Sequence, residues 1–245
     1  MTKKPVRINP ITHERSKSYI NQMIQFREEY LKDIENHHVK IQAGNMKTGN
    51  LVPTVSLIPI IDCANCGKCK DYCYDLRKDC MYENVRKDRA KNSAIHLADL
   101  PRFWNEIKQS VIDNKYHALR INVGGDLTLL DFVHLSAVAK EIPTCDFLFF
   151  TKNYLDANSY IDLYGNFPSN VHPIFSAWLD VPMYNPHNFP TSHVVWADGK
   201  TTAPEYGAYY CQGDCSECFY NFLASKGCDG CFGLKEGEAV CFLAH

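Results

Sequence analysis

The chain has 245 residues, of which 45% are hydrophobic and 22% are charged, with 26 basic against 28 acidic side chains. This length and composition exclude a disordered protein and predict one good-sized globular domain with a small appendage. A net charge of −2 argues against binding nucleic acid through bulk positive charge. The N-terminus lacks the apolar stretch of a signal peptide, and no run approaches the about 18 apolar residues of a membrane span. We therefore expect a cytoplasmic protein with no membrane partner.

The predicted elements begin with an amphipathic helix over residues 12–36, where apolar side chains recur three, four and seven positions apart. A link rich in Gly and Asn follows, so residues 1–50 form a helical lead-in. Beyond it, predicted strands alternate with helices. The strands are 54–61, 117–123, 146–151, 171–177 and 193–197, and the helices are 82–100, 102–114, 129–140 and 156–164.

This alternation predicts an α/β fold over residues 51–200, either an open parallel sheet or a partial (β/α) barrel. Such folds place their ligands at the carboxyl ends of the strands. Residues 201–245 are predicted to form a separate C-terminal cysteine-rich segment that binds a metal.

Eleven of the twelve cysteines fall in two tracts, Cys63–Cys80 and Cys211–Cys241, and only Cys145 stands apart. Disulfides belong to small domains in oxidising compartments, and a chain of this length builds a core without them. The clustered cysteines are therefore predicted to be metal ligands.

The first tract has the spacing C-x2-C-x2-C-x3-C, formed by Cys63, Cys66, Cys69 and Cys73. This is the spacing of bacterial ferredoxins, which bind [4Fe-4S] clusters, although Tyr74 stands where those proteins have proline. The tract follows the first predicted strand, so it is expected at the end of the sheet where ligands bind. Spacing alone leaves open whether three or all four cysteines hold one cluster.

The second tract offers five candidate ligands, more than one tetrahedral site needs. They are Cys211, Cys215, Cys218, Cys228 and Cys231. The simplest site takes the first four and leaves Cys231 spare, but a different four would also serve. Both a [4Fe-4S] cluster and zinc are compatible with this tract.

Polar residues at the ends of three predicted strands are candidates for cofactor binding: Asn122, Gly124, Gly125, Asp126, Thr151, Lys152 and Ser176. Each is equally compatible with a turn or a helix cap. Lys152 is the best placed of them, because a cation at the mouth of a barrel would hold a carboxylate.

A cysteine loop after the first strand and Gly-Gly-Asp after the second resemble the radical S-adenosylmethionine (SAM) enzymes. More closely, the chain resembles the phage-associated gene product 88 family over residues 44–245. The matching sequence segments are GNMKTGNLVPTVSL, the cysteines ending in Cys73-Tyr74, RINVGGD, FLFFTKN, FSAWLDV, NPHNFP and the terminal cysteines. The resemblance implies a partial barrel, with SAM held by Gly124, Gly125, Asp126 and Tyr74, in a bacterial or phage-infected cell. The usual radical-SAM signature C-x3-C-x2-C is absent from the first tract and occurs in the second.

Three functions follow from these observations. The leading hypothesis is an iron–sulfur enzyme that cleaves SAM reductively, with an unknown substrate, a reductase or flavodoxin-type electron donor and an auxiliary cluster at the C-terminus. A second is an electron-transfer protein whose clusters are closed by four cysteines. A third is a binding module stabilised by zinc.

Overall fold

The computed structural model describes residues 7–44, 51–79, 82–197, 208–224 and 230–244. Its helices are α1 (His13–Leu31), α2 (Tyr74–Asp79), α3 (Glu83–Ala98), α4 (Leu100–Asn114), α5 (Leu129–Glu141), α6 (Tyr154–Tyr164) and α7 (Cys215–Leu223). Its strands are β1 (Thr54–Val55), β2 (Ala118–Ile121), β3 (Asp146–Thr151), β4 (Val171–Ser176), β5 (Thr191–Val195), β6 (Ala208–Tyr210) and β7 (Ala239–Leu243).

The strands form one open, parallel sheet of seven, in the order β1-β2-β3-β4-β5-β7-β6. Helices lie between the first four strands along the chain, so the fold is mixed α/β, as the alternating pattern predicted. Because the strands are parallel, their carboxyl ends lie at one edge of the sheet, and the loops that follow β1 to β5 meet there.

Local sequence signals explain where the helices begin. Thr128 caps α5, and its hydroxyl and amide both donate to Asp131, which completes a capping box. Asp99 accepts from the Arg102 amide at the start of α4. These caps fix the first turn of two helices that pack on the sheet.

The two faces of the sheet bury different partners, because side chains alternate along a strand. Leu119 of β2 and Phe149 of β3 belong to the main core with the apolar residues of α4 and α5, and we call this the helix face. Ala118 and Leu148 pack instead with Phe219 of α7 and the C-terminal segment, and we call this the cysteine face. Helix α7 and residues 230–234 therefore pack against this face.

Several elements differ from the predicted ones. Strand β1 has only two residues, because the chain turns after Val55 to hydrogen bond with the loop after β2. Strands β6 and β7 and helices α2 and α7 were not predicted. The division into three segments stays a prediction, although β7 pairs with β5 across the boundary placed at residue 200.

No helix in the described part of the chain combines the length and apolarity that crossing a bilayer requires.

Candidate metal centre

The first cysteine loop is attached to the loop that follows β2. After β1, the amide of Leu57 donates to the carbonyl of Gly124 (3.0 Å), and the carbonyl of Asp62 accepts from the amide of Asp126 (2.8 Å). The Asp62 carboxylate also accepts from the amide of Ile58 (2.8 Å), which tightens the turn before the first cysteine. The first cysteine loop thus begins beside the carboxyl ends of β1 and β2.

Two cysteine sulfurs of this loop accept backbone hydrogen bonds. The amide of Ile60 lies 3.3 Å from Sγ of Cys63, and the amide of Leu76 lies 3.3 Å from Sγ of Cys73. Amide donors of this kind stabilise a sulfur that carries negative charge, as a metal-bound thiolate does.

The four thiols of the loop also act on one another. A hydrogen bond from Cys66 lowers the pKa of Cys63, and the same bond, with burial, raises the pKa of Cys66. Burial raises the pKa of Cys69, and it raises the pKa of Cys73 to about 12. This sulfur-rich donor set, gathered on one loop and supplied with amide donors, suits an iron–sulfur cluster. In the described ranges, no three His, Cys, Asp or Glu side chains are already grouped to hold a single metal ion.

Asp126 connects the ends of β2 and β3. Its carboxylate accepts from the hydroxyl of Thr151 (2.6 Å), the amide of Lys152 (2.9 Å) and the amide of Leu127 (2.8 Å). Burial raises the pKa of Asp126, and these three donors oppose that effect. The predicted site residues Asp126, Thr151 and Lys152 therefore come together, with Asp126 as the acceptor that orients the other two.

Lys152 lies beside the first cysteine loop. Its carbonyl accepts from the side-chain amide of Asn65 (2.7 Å), and its Nζ lies 5.6 Å from the ring centroid of Trp178. Burial alone would lower the pKa of Lys152, but Cys69 and Asp126 outweigh burial and raise it. The ammonium group of Lys152 therefore keeps its charge near neutral pH beside the thiols.

Gly124 and Gly125 have a packing role in the described structure. A Cβ on Gly124 would lie 2.3 Å from Oδ2 of Asp75, and one on Gly125 would lie 2.7 Å from Cβ of Leu57. Asp75 of α2 forms a buried, two-pronged ion pair with Arg89 of α3, at 2.5 and 2.8 Å. The glycines thus let the turn after β2 pack directly on the first cysteine loop and on the helix that follows it.

The other predicted cofactor-binding residues lie at the same end of the sheet. Asn122 is 5% exposed, adopts a φ of +54°, and its Nδ2 has no hydrogen-bond partner within the described ranges. Ser176 Oγ accepts from Ser192 Oγ at 3.2 Å. The Tyr74 ring is 39% exposed, while burial raises the pKa of its hydroxyl.

Aromatic side chains from two further loops border the site. The ring centroid of Trp196 lies 5.1 Å from that of Tyr72 and 5.6 Å from that of Trp178. Asp180 accepts from the amide of Lys68 at 2.8 Å, which fixes the cysteine loop to the loop after β4. Sequence reasoning missed Trp196 and Asp180. The predicted strand over residues 193–197 contained Trp196, whereas β5 ends at Val195 and leaves Trp196 directly after it.

The second tract gathers four cysteines on the cysteine face. Cys211, Cys215, Cys218 and Cys231 line one small cavity, together with Arg120 of β2 and Phe150 of β3. Cys228, the fifth predicted ligand, lies outside the described residues. The structure therefore brings together a set of four that includes Cys231.

Gly230 allows the backbone before Cys231 to lie close to Cys218. It has a φ of +52°, and a Cβ there would lie 2.6 Å from Sγ of Cys218. Burial raises the pKa of Cys231, with Cys211 and Cys215 adding to the effect. Four cysteine sulfurs are the ligand set of a [4Fe-4S] cluster or of a structural zinc ion, and in the described residues no three of them are already grouped to hold a single ion.

The fold and the sites together define an α/β protein with two thiol-rich sites, one at the carboxyl edge of a parallel sheet and one on its face. Residues 27–241 match the family described as Gene product 88, so the chain belongs to that family. This confirms the family that the sequence motifs indicated. Comparisons with curated proteins and with solved structures found no match.

Proposed function

We propose that the protein is an iron–sulfur enzyme of radical-SAM type, in which cysteines of the first tract hold a [4Fe-4S] cluster. The observation that carries the proposal is the gathering of Cys63, Cys66, Cys69 and Cys73 on one loop at the carboxyl edge of the sheet, beside Lys152. Reactions of α/β folds take place at this edge.

The strand order supports a partial barrel. Strands β1 to β5 are neighbours in the sheet in the order in which they occur in the chain. A (β/α) barrel has this consecutive order, whereas doubly wound sheets reverse it at a switch point.

When bound, the cluster would supply one electron to SAM, breaking its C5′–S bond to give methionine and a 5′-deoxyadenosyl radical. A reductase or a flavodoxin-type protein would provide that electron. The chain would bind and orient SAM. Lys152 offers a cation for the methionine carboxylate, and the buried amide of Asn122 offers an unused donor.

The decisive experiment is anaerobic reconstitution with iron and sulfide, followed by dithionite and SAM. We expect the broad visible absorption of an iron–sulfur protein, and methionine and 5′-deoxyadenosine as products, the latter formed when the 5′-deoxyadenosyl radical takes a hydrogen atom from the substrate or, without substrate, from the buffer. A reconstituted, reduced protein that forms neither product would refute the proposal.

A second candidate function is electron transfer through a cluster closed by four cysteines. It is favoured by Asp126, whose carboxylate already accepts three internal hydrogen bonds of the about four that it has room for. Little capacity is then left for the ammonium group of SAM.

Single alanine variants of the four first-tract cysteines separate the two functions. A three-cysteine cluster predicts that one variant keeps its iron and its SAM cleavage, whereas a closed cluster predicts that all four variants lose iron. Cys145→Ala is the matched control, because Cys145 is a buried thiol in the main core. Metal analysis of the same preparations reports whether the second tract holds iron or zinc.

A further inference from the structure

Arg120 is a cation in the middle of the cysteine face. It occupies the third position of β2, with Ala118 two residues before it on the same face. Its guanidinium carbon lies 5.0 Å from the ring centroid of Phe150, and it lines the cavity of the second tract. Leu119 and Ile121, on either side of it in the strand, belong to the core on the opposite face.

No carboxylate of the described residues lies within ion-pair distance of this guanidinium, and its Nε is buried without a hydrogen-bond partner there. A partly buried charge without a counter-ion is unfavourable, so such a group is expected to have an anionic partner in the working protein. The cavity that Arg120 lines is also lined by four cysteines, and metal-bound thiolates there would supply that negative charge.

We infer that Arg120 is the counter-cation of an anionic metal centre held by thiolates of the second tract. Four thiolates around Zn²⁺, or around an oxidised [4Fe-4S] core, leave an excess of negative charge, which the guanidinium balances. The inference rests on the proposed metal centre of the second tract, and it adds the residue that makes the centre stable inside the fold. Arg120 is a positioning residue, since it contacts no reacting atom.

The test compares Arg120→Met, which removes the charge, with Arg120→Lys, which keeps it. The protein is loaded anaerobically and placed in excess chelator, and the zinc or iron released per chain is followed over time. We expect Arg120→Met to release second-tract metal at least about tenfold faster than the wild type, a difference of about 1.4 kcal/mol. Arg120→Lys should stay within about threefold, because it retains the charge though not the fork of donors.

Two further variants connect the effect to the second tract. In the Cys231→Ala background, Arg120→Met should cause no additional loss of metal, because the partner of the cation is already gone. Arg102→Met is the matched control, because it removes an arginine that pairs with Glu106 on α4 and should leave metal release unchanged. Arg120→Gln replaces Arg120→Met if circular dichroism shows the latter to be unfolded.

Equal metal release from wild type and Arg120→Met would overturn the inference, as would an effect that persists in full in the Cys231→Ala background. A second tract that takes up neither iron nor zinc would overturn it as well. If SAM is not cleaved but metal release follows the expected pattern, the proposed enzyme activity is refuted and the inferred role of Arg120 is retained.

Discussion

Replacing Gly124 with alanine tests whether the turn after β2 holds the first cysteine loop in place. The new Cβ would lie 2.3 Å from Oδ2 of Asp75 and 3.0 Å from Nη1 of Arg89. Ordinary contacts between carbon and oxygen are about 3.3–3.6 Å, so the carboxylate must move by about 1 Å. Asp75 and Arg89 are 3% and 6% exposed, so their ion pair has little room to shift as a unit.

The expected cost follows from that geometry. Overpacking alone destabilises by about 1–3 kcal/mol, and breaking a buried ion pair costs about 3–5 kcal/mol. We therefore expect Gly124→Ala to lower the free energy of unfolding by about 3 kcal/mol and to reduce the iron bound per chain. Gly165→Ala is the control, because its φ of +81° brings backbone strain but its Cβ meets no atom within 4 Å. It should cost about 1–3 kcal/mol, because a φ of +81° with a ψ of −166° is a conformation nearly confined to glycine, but it should leave the iron content unchanged.

Anaerobic urea unfolding and iron analysis of the reconstituted protein provide the measurements. If contact with Asp75 is the cause, Gly124→Ala should cost less than half as much in an Asp75→Ala background. A loss below about 1 kcal/mol, or an equal loss in both backgrounds, would show that the reasoning from this contact is wrong.

Three further predictions concern a buried acid, the candidate SAM site and the second tract. Asp131 accepts from His96 (2.8 Å) and from the indole of Trp104 (3.0 Å). Burial opposes both shifts, but the pairing of Asp131 with His96 lowers the pKa of Asp131 and raises the pKa of His96. The stabilisation by this pair is therefore lost as pH falls through the pKa of Asp131 or rises through the pKa of His96. Asp131→Asn should therefore destabilise by about 3 kcal/mol near pH 5 and by less near pH 8, as measured by urea unfolding at both pH values. Lys152→Met should weaken SAM binding to the loaded protein at least about tenfold in calorimetry, while Lys152→Arg keeps most of it, and equal affinities would contradict the proposed role. Gly230→Ala should reduce the second-tract metal found by elemental analysis, because a Cβ at residue 230 would lie 2.6 Å from Sγ of Cys218 in α7. A Cβ at Gly213, which also has a positive φ, would meet no atom within 4 Å.

Sequence periodicity predicted the elements that pack through their own apolar patterns. Strand β3 has the predicted bounds, and α5 extends one residue beyond its predicted end. Strands β6 and β7 were missed because their short apolar runs lie within the C-terminal cysteine-rich segment, residues 201–245, where spacing suggested only metal binding. The predicted strand over residues 54–61 ends at Val55, because Leu57 pairs with Gly124, and that contact depends on the tertiary structure.

The candidate site also has a part that the sequence predicted and a part that it did not. The spacing of the cysteines and the Gly-Gly-Asp motif indicated which residues would meet, because both follow strands of one parallel sheet. The ion pair that makes Gly124 necessary joins α2 to α3, and nothing local in the sequence indicates it. The sequence did indicate a special role for Arg120, because a charged residue within an otherwise apolar strand usually has a specific partner.

Both thiol-rich sites place a cation beside sulfur, and this joins metal binding to folding. Burial raises the pKa of Cys73 to about 12 and raises that of Cys231, so these thiols are neutral near pH 7 without metal. Arg120 then lies beside a neutral sulfur, which is an unfavourable place for a partly buried charge, whereas Lys152 also has the carboxylate of Asp126 close by. Metal binding releases thiol protons and creates thiolates near both cations, so each cation stabilises the metal-bound protein more than the metal-free chain. The free energy of metal binding should therefore appear as folding free energy at both tracts, with Lys152 contributing at the sheet edge and Arg120 on the cysteine face.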